Sequence, residues 1–262
     1  MKHIVLAHGI LGFGSGGLLP IFVQYFNGVA AHLGKQGHRV IEPQVNPIGS
    51  IKERGNRLGA IVMETPLEAG AKWHIIAHSM GGLDARHALA HVPGFKDRVA
   101  TLVTIGTPHG GSPVADELVK GSGPLFDAFP RVFSEPLLNT EGLRDLMTTS
   151  ADAFNAETPH VDGPRYIAIA GDARRADHEL LLFKVAAALG DLPQHEINDG
   201  VVTKSSAMRE RYEPFADWPT DHAGEIGWTV PPVPASALGL IRRLFFRAPP
   251  HFARYDDLVS RL

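Results

Sequence analysis

Short runs of apolar residues, rich in valine and isoleucine, recur along the chain. Ile4–Ala7, Val40–Ile41, Trp73–Ala77, Val99–Ile105 and Tyr166–Ala170 are such runs. Runs of this kind, separated by longer amphipathic stretches, are the sequence form of βαβ units around a parallel sheet. Between the second and third runs, Ile51, Leu58, Ile61 and Val62 fall on one face of a helix that reaches to about Glu64. The pattern predicts an α/β fold, a mostly parallel central sheet flanked by helices.

From Ser112 to about Gly163 the pattern changes. Gly121-Ser122-Gly123-Pro124, Phe126, Phe129-Pro130, Phe133 and Pro136-Leu137-Leu138 mix apolar residues with breakers and show no strand alternation. We read residues 112–163 as a cap inserted into one domain that spans 1–262, able to cover a site and line an apolar pocket. The alternative is a helical excursion that only packs. Leu238–Leu262 reads as a closing helix with Phe245 and Phe246 against the core, followed by a loop at Pro249-Pro250.

Composition narrows the classes. A chain of 262 residues with 44% hydrophobic and 20% charged residues has the balance of a globular domain with one large core. Lys and Arg number 25 against 28 Asp and Glu, a net charge of −3, with no basic block to follow a phosphate backbone, so nucleic acid is not an expected partner. The chain has no cysteine, which removes disulfides, cysteine nucleophiles and thiolate metal sites. No run approaches the ~18 apolar residues of a membrane span, and Met1-Lys2 leads directly into the first strand run, so the expected location is the cytoplasm.

The candidate chemistry starts at Ala77-His78-Ser79-Met80-Gly81-Gly82, which follows one strand run and precedes the helix-forming Leu83–Leu89. A serine on a sharp strand-to-helix turn needs small residues two before and two after it; Ala77 and Gly81 meet that need. Ser79 is the expected nucleophile; the alternatives are a helix cap or a phosphate contact, for which no Walker lysine or G-x-G-x-x-G is present here. Acyl transfer also needs backbone N–H donors aimed at the developing oxyanion. Met80, just after the serine, supplies one. The second is expected from His8-Gly9-Ile10-Leu11-Gly12-Phe13-Gly14, with Ile10 ahead of Leu11.

A serine of this kind needs a histidine base and an acid, which in the fold carrying such an elbow follow it in the order Ser, Asp or Glu, His. Of 14 histidines, His78, His87 and His91 sit too near the serine and His109 belongs to Gly106–Gly111; the late candidates are His178, His195, His222 and His251. His222 lies in the polar loop Pro219–Gly224. For the acid, Asp199 in Asn198–Val202 competes with Asp172, which ends the last strand run.

At these residues the chain resembles the bacterial triacylglycerol lipases of the α/β-hydrolase superfamily. Leu6–Phe13 looks like that family's oxyanion strand and loop, Ala77–Gly82 like its elbow, and Gly106–Ser112 like the loop after the next strand. Asn198–Val202 with Ser205-Ser206 is similar to the segment carrying its aspartate, and Asp221–Ile226 to the one carrying its histidine. The resemblance implies Ser79, Asp199 and His222 as a triad, Ile10 and Met80 as oxyanion donors, and hydrolysis of esters with a hydrophobic acyl group, without a cofactor. Many members hold calcium through an aspartate two residues after the histidine; Gly224 stands there, so no calcium is expected.

An acyltransferase or thioesterase would use the same residues. A noncatalytic binder that retained the pocket is a reading from a different class, and the intact Ser79, Asp199 and His222 argue against it. A metal-dependent hydrolase is set aside on the expectation that no H-x-x-x-H or comparable ligand spacing occurs among the histidines.

Overall fold

A computed structural model describes residues 1–10, 25–121, 140–175, 196–228 and 250–262. Six strands form one parallel sheet: β1 (His3–Ala7), β2 (Arg39–Ile41), β3 (Trp73–His78), β4 (Val99–Ile105), β5 (Arg165–Ile169) and β6 (Glu213–Pro214), in the order β2-β1-β3-β4-β5-β6. The five apolar runs are the first five strands to within a residue or two at each end. β6 is a two-residue edge strand containing a proline, a residue confined to edges because it cannot donate to the ladder.

The strands alternate their side chains between two cores. Ile4, Leu6, Ile76, Val103, Ile105, Ile167 and Ile169 face α1 (Val29–Lys35) and the C-terminal helix (Pro250–Ser260) through Val29, Leu33, Tyr255 and Leu258. Val5, Ala7, Ile75, Ala77, Leu102 and Ala168 face α2 (Ile51–Glu64) and α3 (Met80–His91) through Leu58, Val62, Ala85, Ala88 and Leu89. The expected helix ending near Glu64 is α2, and Ser50 caps it by accepting the Glu53 N–H.

After β4, Ser112 caps α4 (Pro113–Lys120), whose Pro113 sits in the first turn where its missing N–H is harmless. Two further helices follow, α5 (Glu141–Asp145) and α6 (Thr148–Glu157). Val114, Ala115 and Leu118 of α4 with Leu143 and Leu146 pack on Ile51, Met80 and Leu83, with Ile10 alongside, so this segment lies against the serine elbow. Phe126, Phe129, Phe133 and Pro136–Leu138 lie outside the described residues. A short helix, α7 (Lys204–Ala207), precedes β6, and the Pro250–Ser260 helix is α8.

α8 corrects the reading of the tail. The helix begins at Pro250, where a loop was expected, because proline at a first helical position loses no hydrogen bond. Its apolar anchors are Tyr255, Leu258 and Val259; Phe245 and Phe246 lie outside the described residues.

Two features tie the fold together and set its pH response. Arg54, fully buried on α2, reaches the Asp84 carboxylate of α3 through Nε (2.9 Å) and Nη2 (2.7 Å), and also donates to the carbonyls of His8 (2.7 Å) and Asn46 (2.8 Å). This holds the loop after β1 against both helices. Burial also pushes the imidazoles of His8, His74, His87 and His251 down to about 4, and those of His78 and His109 well below the usual 6.5. Between pH 6.5 and 4 the unfolded chain takes up protons that the folded chain refuses, so stability falls as pH drops through that window. Asp84, raised by burial to about 6, and Glu225, raised well above the carboxylate range, pull the other way, as do Glu42 and Asp145, but the six histidines outnumber them. We expect the urea midpoint to decline from pH 7 to pH 4.5; a flat or rising profile would contradict this.

Candidate active site

The strand order places a crevice at the C-terminal end of the sheet. From β1 the chain moves out to β2 and then returns to β3 on the other side of β1, and ligands of open α/β sheets bind where the order reverses in this way. Gly9 follows β1 and Ser79 follows β3, so the two loops meet there. A Cβ on Gly9 would stand 2.7 Å from Ser79 Cβ and 2.7 Å from the Tyr25 hydroxyl, so only glycine lets this loop approach the serine.

Ser79 has φ 56° and ψ −132°, a conformation that costs a non-glycine residue on the order of 1–3 kcal/mol and persists only when neighbours over-determine it. The neighbours are identifiable. The Ser79 N–H donates to the Ile105 carbonyl (2.9 Å), and its own carbonyl accepts from the Thr107 hydroxyl (2.9 Å) and the Gly82 N–H (3.1 Å). A side chain on Gly81 would run into the carbonyls of Ala7 and His8. The small-residue requirement read from the sequence is thus a contact with β1.

His222 and Asp199 reach the serine from the other side. The Ser79 hydroxyl lies 3.0 Å from His222 Nε2, and His222 Nδ1 lies 2.7 Å from Asp199 Oδ2. Asp199 is 1% exposed; its Oδ1 accepts the N–H groups of Val201 (2.8 Å) and Val202 (2.7 Å), leaving Oδ2 for the imidazole. The His222 N–H donates to the Asp199 carbonyl (2.9 Å), which ties the two loops directly. The Asn198–Ser206 loop is sewn to the loop after β4, because Ser206 Oγ accepts from the Gly110 N–H and donates to the Gly111 carbonyl. Asp172, the competing acid, instead pairs with Arg174 at 3.0 Å. His251, far along the chain on α8, donates its Nε2–H to the Asn27 carbonyl (3.1 Å), and His178 and His195 lie outside the described residues.

Met80 is the first residue of α3, so its N–H has no intrahelical acceptor. The Ile10 N–H has none among the described residues. Leu11 lies outside them.

Glu225 escaped the sequence reading. It is fully buried, and its Oε2 lies 3.0 Å from His78 Nε2 and 3.5 Å from His222 Nδ1. Burial, with Asp199 close by, pushes it well above the usual carboxylate range and favours its neutral form. His78 completes the layer: the Tyr25 hydroxyl donates to Nδ1 (2.7 Å), and Nε2–H donates to the His222 carbonyl (3.0 Å) and towards Glu225. That tautomer is the one the two neighbours require, and it suits an imidazole that burial keeps neutral. No sequence pattern marks Glu225, because its contact with His78 joins residues 147 positions apart.

Two metal expectations can be tested against the residues. Gly224 offers no side-chain oxygen where the resemblance implies a calcium aspartate, and the Asp221 Oδ1 accepts the Gly224 N–H at 2.7 Å, so these residues do not fit that site. H-x-x-x-H pairs do occur, contrary to the sequence reading: His74/His78 and His87/His91. The first pair lies on β3, where a spacing of four separates side chains by about 13 Å. The second pair meets on α3 with ring centroids 4.5 Å apart and the rings tilted by 36°. Donor atoms of His78, His222 and Glu225 do lie within 4.8 Å of one another, but His222 offers this cluster only nitrogens that Ser79 and Asp199 already engage.

A strained serine on a strand-to-helix turn, in line with a histidine and a buried aspartate at the C-terminal edge of a parallel sheet, defines the α/β-hydrolase fold with its constellation. Comparison with known proteins agrees. Residues 62–148 match the model of the PGAP1-like alpha/beta domain. A triacylglycerol lipase of Vibrio cholerae is 31% identical over 235 residues, 78% of this chain and 72% of that protein. Triacylglycerol lipase 2 of Saccharomyces cerevisiae is 38% identical over 102 residues, 37% of this chain but only 31% of that longer protein. Among solved structures, the mature lipase BlEst2 of Bacillus licheniformis superposes with a TM-score of 0.70 over 86% of both chains at 23% identity. The chain belongs to the triacylglycerol lipase and esterase family of the α/β-hydrolase superfamily.

Proposed function

We propose that this protein hydrolyses carboxylic esters with a hydrophobic acyl group through an acyl-enzyme on Ser79. The observation that carries the reading is the line Ser79 Oγ, His222 Nε2, His222 Nδ1, Asp199 Oδ2, with links of 3.0 and 2.7 Å. His222 takes the serine proton as Oγ attacks the ester carbon, and the oxyanion is held by the N–H groups of Ile10 and Met80. The alcohol leaves with the proton from His222. A water then gives His222 its proton and attacks the acyl carbon, releasing the acid and restoring the serine hydroxyl. Asp199 keeps the proton on Nδ1, so that Nε2 is free to act as base.

Residues 112–163 serve in this proposal as the cap. Its supporting observation is the apolar cluster of Val114, Leu118, Leu143 and Leu146 beside Met80 and Ile10, which offers an acyl chain an apolar wall next to the oxyanion donors. Among the described residues no helix is long and apolar enough to cross a membrane, so a lipid substrate would meet the site from a surface. The test is turnover of a p-nitrophenyl ester series from acetyl to palmitoyl, with and without EDTA. We expect kcat/KM to rise from acetyl to at least butyryl and EDTA to change nothing. No turnover at any chain length would overturn the proposal.

A further inference from the structure

A second charged constellation lies on the α3 side of the sheet, away from the serine. Arg86 of α3 is 5% exposed, yet all its partners are neutral: Nη1 donates to His109 Nδ1 (3.1 Å), Nη2 to Asn155 Oδ1 (2.9 Å) and the Thr158 carbonyl (3.2 Å), and the guanidinium lies over the Phe154 ring, 4.8 Å from its centroid. Arg209 donates to the same Asn155 Oδ1 at 2.7 Å. Two guanidiniums therefore crowd one neutral oxygen. Neither they nor Arg211 form an ion pair among the described residues, although Glu210 is adjacent in sequence to both Arg209 and Arg211 and Asp162 lies close to His160.

The surroundings reinforce the positive field. Arg209 and Arg211 line an open cavity of about 490 Å³ with His109, His160, Ser205 and one carboxylate, Glu210, so two guanidiniums face one acid there, and Arg209, His160 and Arg86 line the small recess next to it. Arg211 is held at φ 69°, a left-handed conformation uncommon for a side chain of its size and of the kind that collects at ligand clamps. Burial and, secondarily, Arg209 lower Arg86 only to about 10, so it remains charged near neutrality, while burial and these same arginines hold His109 neutral. A buried guanidinium without a counter-charge is costly to keep ionised, and an anion would offset that cost.

We propose that this cavity binds a phosphoryl oxyanion, with Arg209 and Arg211 engaging it at the mouth and Arg86 supplying charge from beneath. Guanidinium forks match pairs of phosphate oxygens, Ser205 adds a hydroxyl at the rim, and the neutral imidazole of His160 can donate one N–H. Phosphate free in solution and the headgroup of a phosphomonoester lipid share this chemistry. The site is separate from the triad, so ester hydrolysis could fail while this proposal stood, and the reverse.

The probe is inorganic phosphate, titrated against the full chain with chloride at matched ionic strength. At about ten times its Kd, phosphate should raise the melting temperature by about 3 °C. Arg209→Gln should weaken binding at least about tenfold, as loss of a charge-assisted bond does, and Arg209→Lys should fall between. Arg86→Gln is the second variant, read by calorimetric titration if it folds. Vesicles of phosphatidic acid against phosphatidylcholine separate the sources. Binding only to phosphatidic acid, lost in Arg209→Gln, assigns the headgroup; binding of free phosphate with no vesicle gain assigns a soluble anion. Binding of neither, or Arg209→Gln binding as wild type, overturns the proposal.

Discussion

Ser79→Ala lowers kcat for ester hydrolysis by about 10⁴ to 10⁶-fold, leaving KM and the melting temperature near wild type. The size follows from what the substitution removes. Ser79 Oγ has His222 Nε2 as its partner at 3.0 Å, while the backbone that strains the residue is held by Ile105, Thr107 and Gly82 and stays in place. The variant therefore keeps the fold, the oxyanion donors and the pocket, and loses only the group that forms the acyl-enzyme. Residual activity of about 10³-fold over water is still expected from the remaining donors. Initial rates on the best p-nitrophenyl ester, with circular dichroism as the check on folding, decide it; full activity in the variant would remove Ser79 from the chemistry.

Asp199→Asn should cost about 10⁴-fold in kcat for a reason that can be read atom by atom. Oδ1 of Asp199 accepts two backbone N–H groups, so an asparagine would put its carbonyl oxygen there and turn its NH₂ towards His222. His222 Nδ1 would then have to accept, leaving the proton on Nε2, where it faces Ser79 and cannot take the serine proton. The loss should fall on kcat with little change in KM. Glu225→Gln, by contrast, should cost far less, because Glu225 lies 3.5 Å from His222 Nδ1 against 2.7 Å for Asp199. Steady-state kinetics of the two variants side by side would show it. A Glu225→Gln defect as large as that of Asp199→Asn would reassign the acid.

How far the sequence could be read depends on whether a feature is local. The five apolar strand runs, the α2 face and the Ser79 elbow are written in residues that neighbour one another, and each appears in the structure where the pattern put it. β6 was invisible because Glu213-Pro214 has no apolar signature and owes its pairing to β5 alone. Asp199 and Asp172 both end near the same edge of the sheet. What separates them is that Arg174 draws Asp172 aside while Val201 and Val202 aim Asp199 at His222, and neither fact has a sequence pattern. The Tyr25, His78 and Glu225 layer was unreadable for the same reason: it joins residues 147 positions apart, His78 and Glu225, through a buried contact. The tail was misread because two consecutive prolines signal a loop, whereas the second of them opens α8.

The central claim is that Ser79 Oγ is the atom that carries the acyl group, and covalent trapping tests it most directly. The protein is incubated with a p-nitrophenyl alkylphosphonate, which leaves a stable adduct on an activated serine, and is examined by intact mass and peptide mapping. The account predicts one phosphonyl group per chain, on Ser79, with none on Ser79→Ala and much slower labelling of Asp199→Asn. An unlabelled wild-type protein, or an adduct on any other residue, would contradict it.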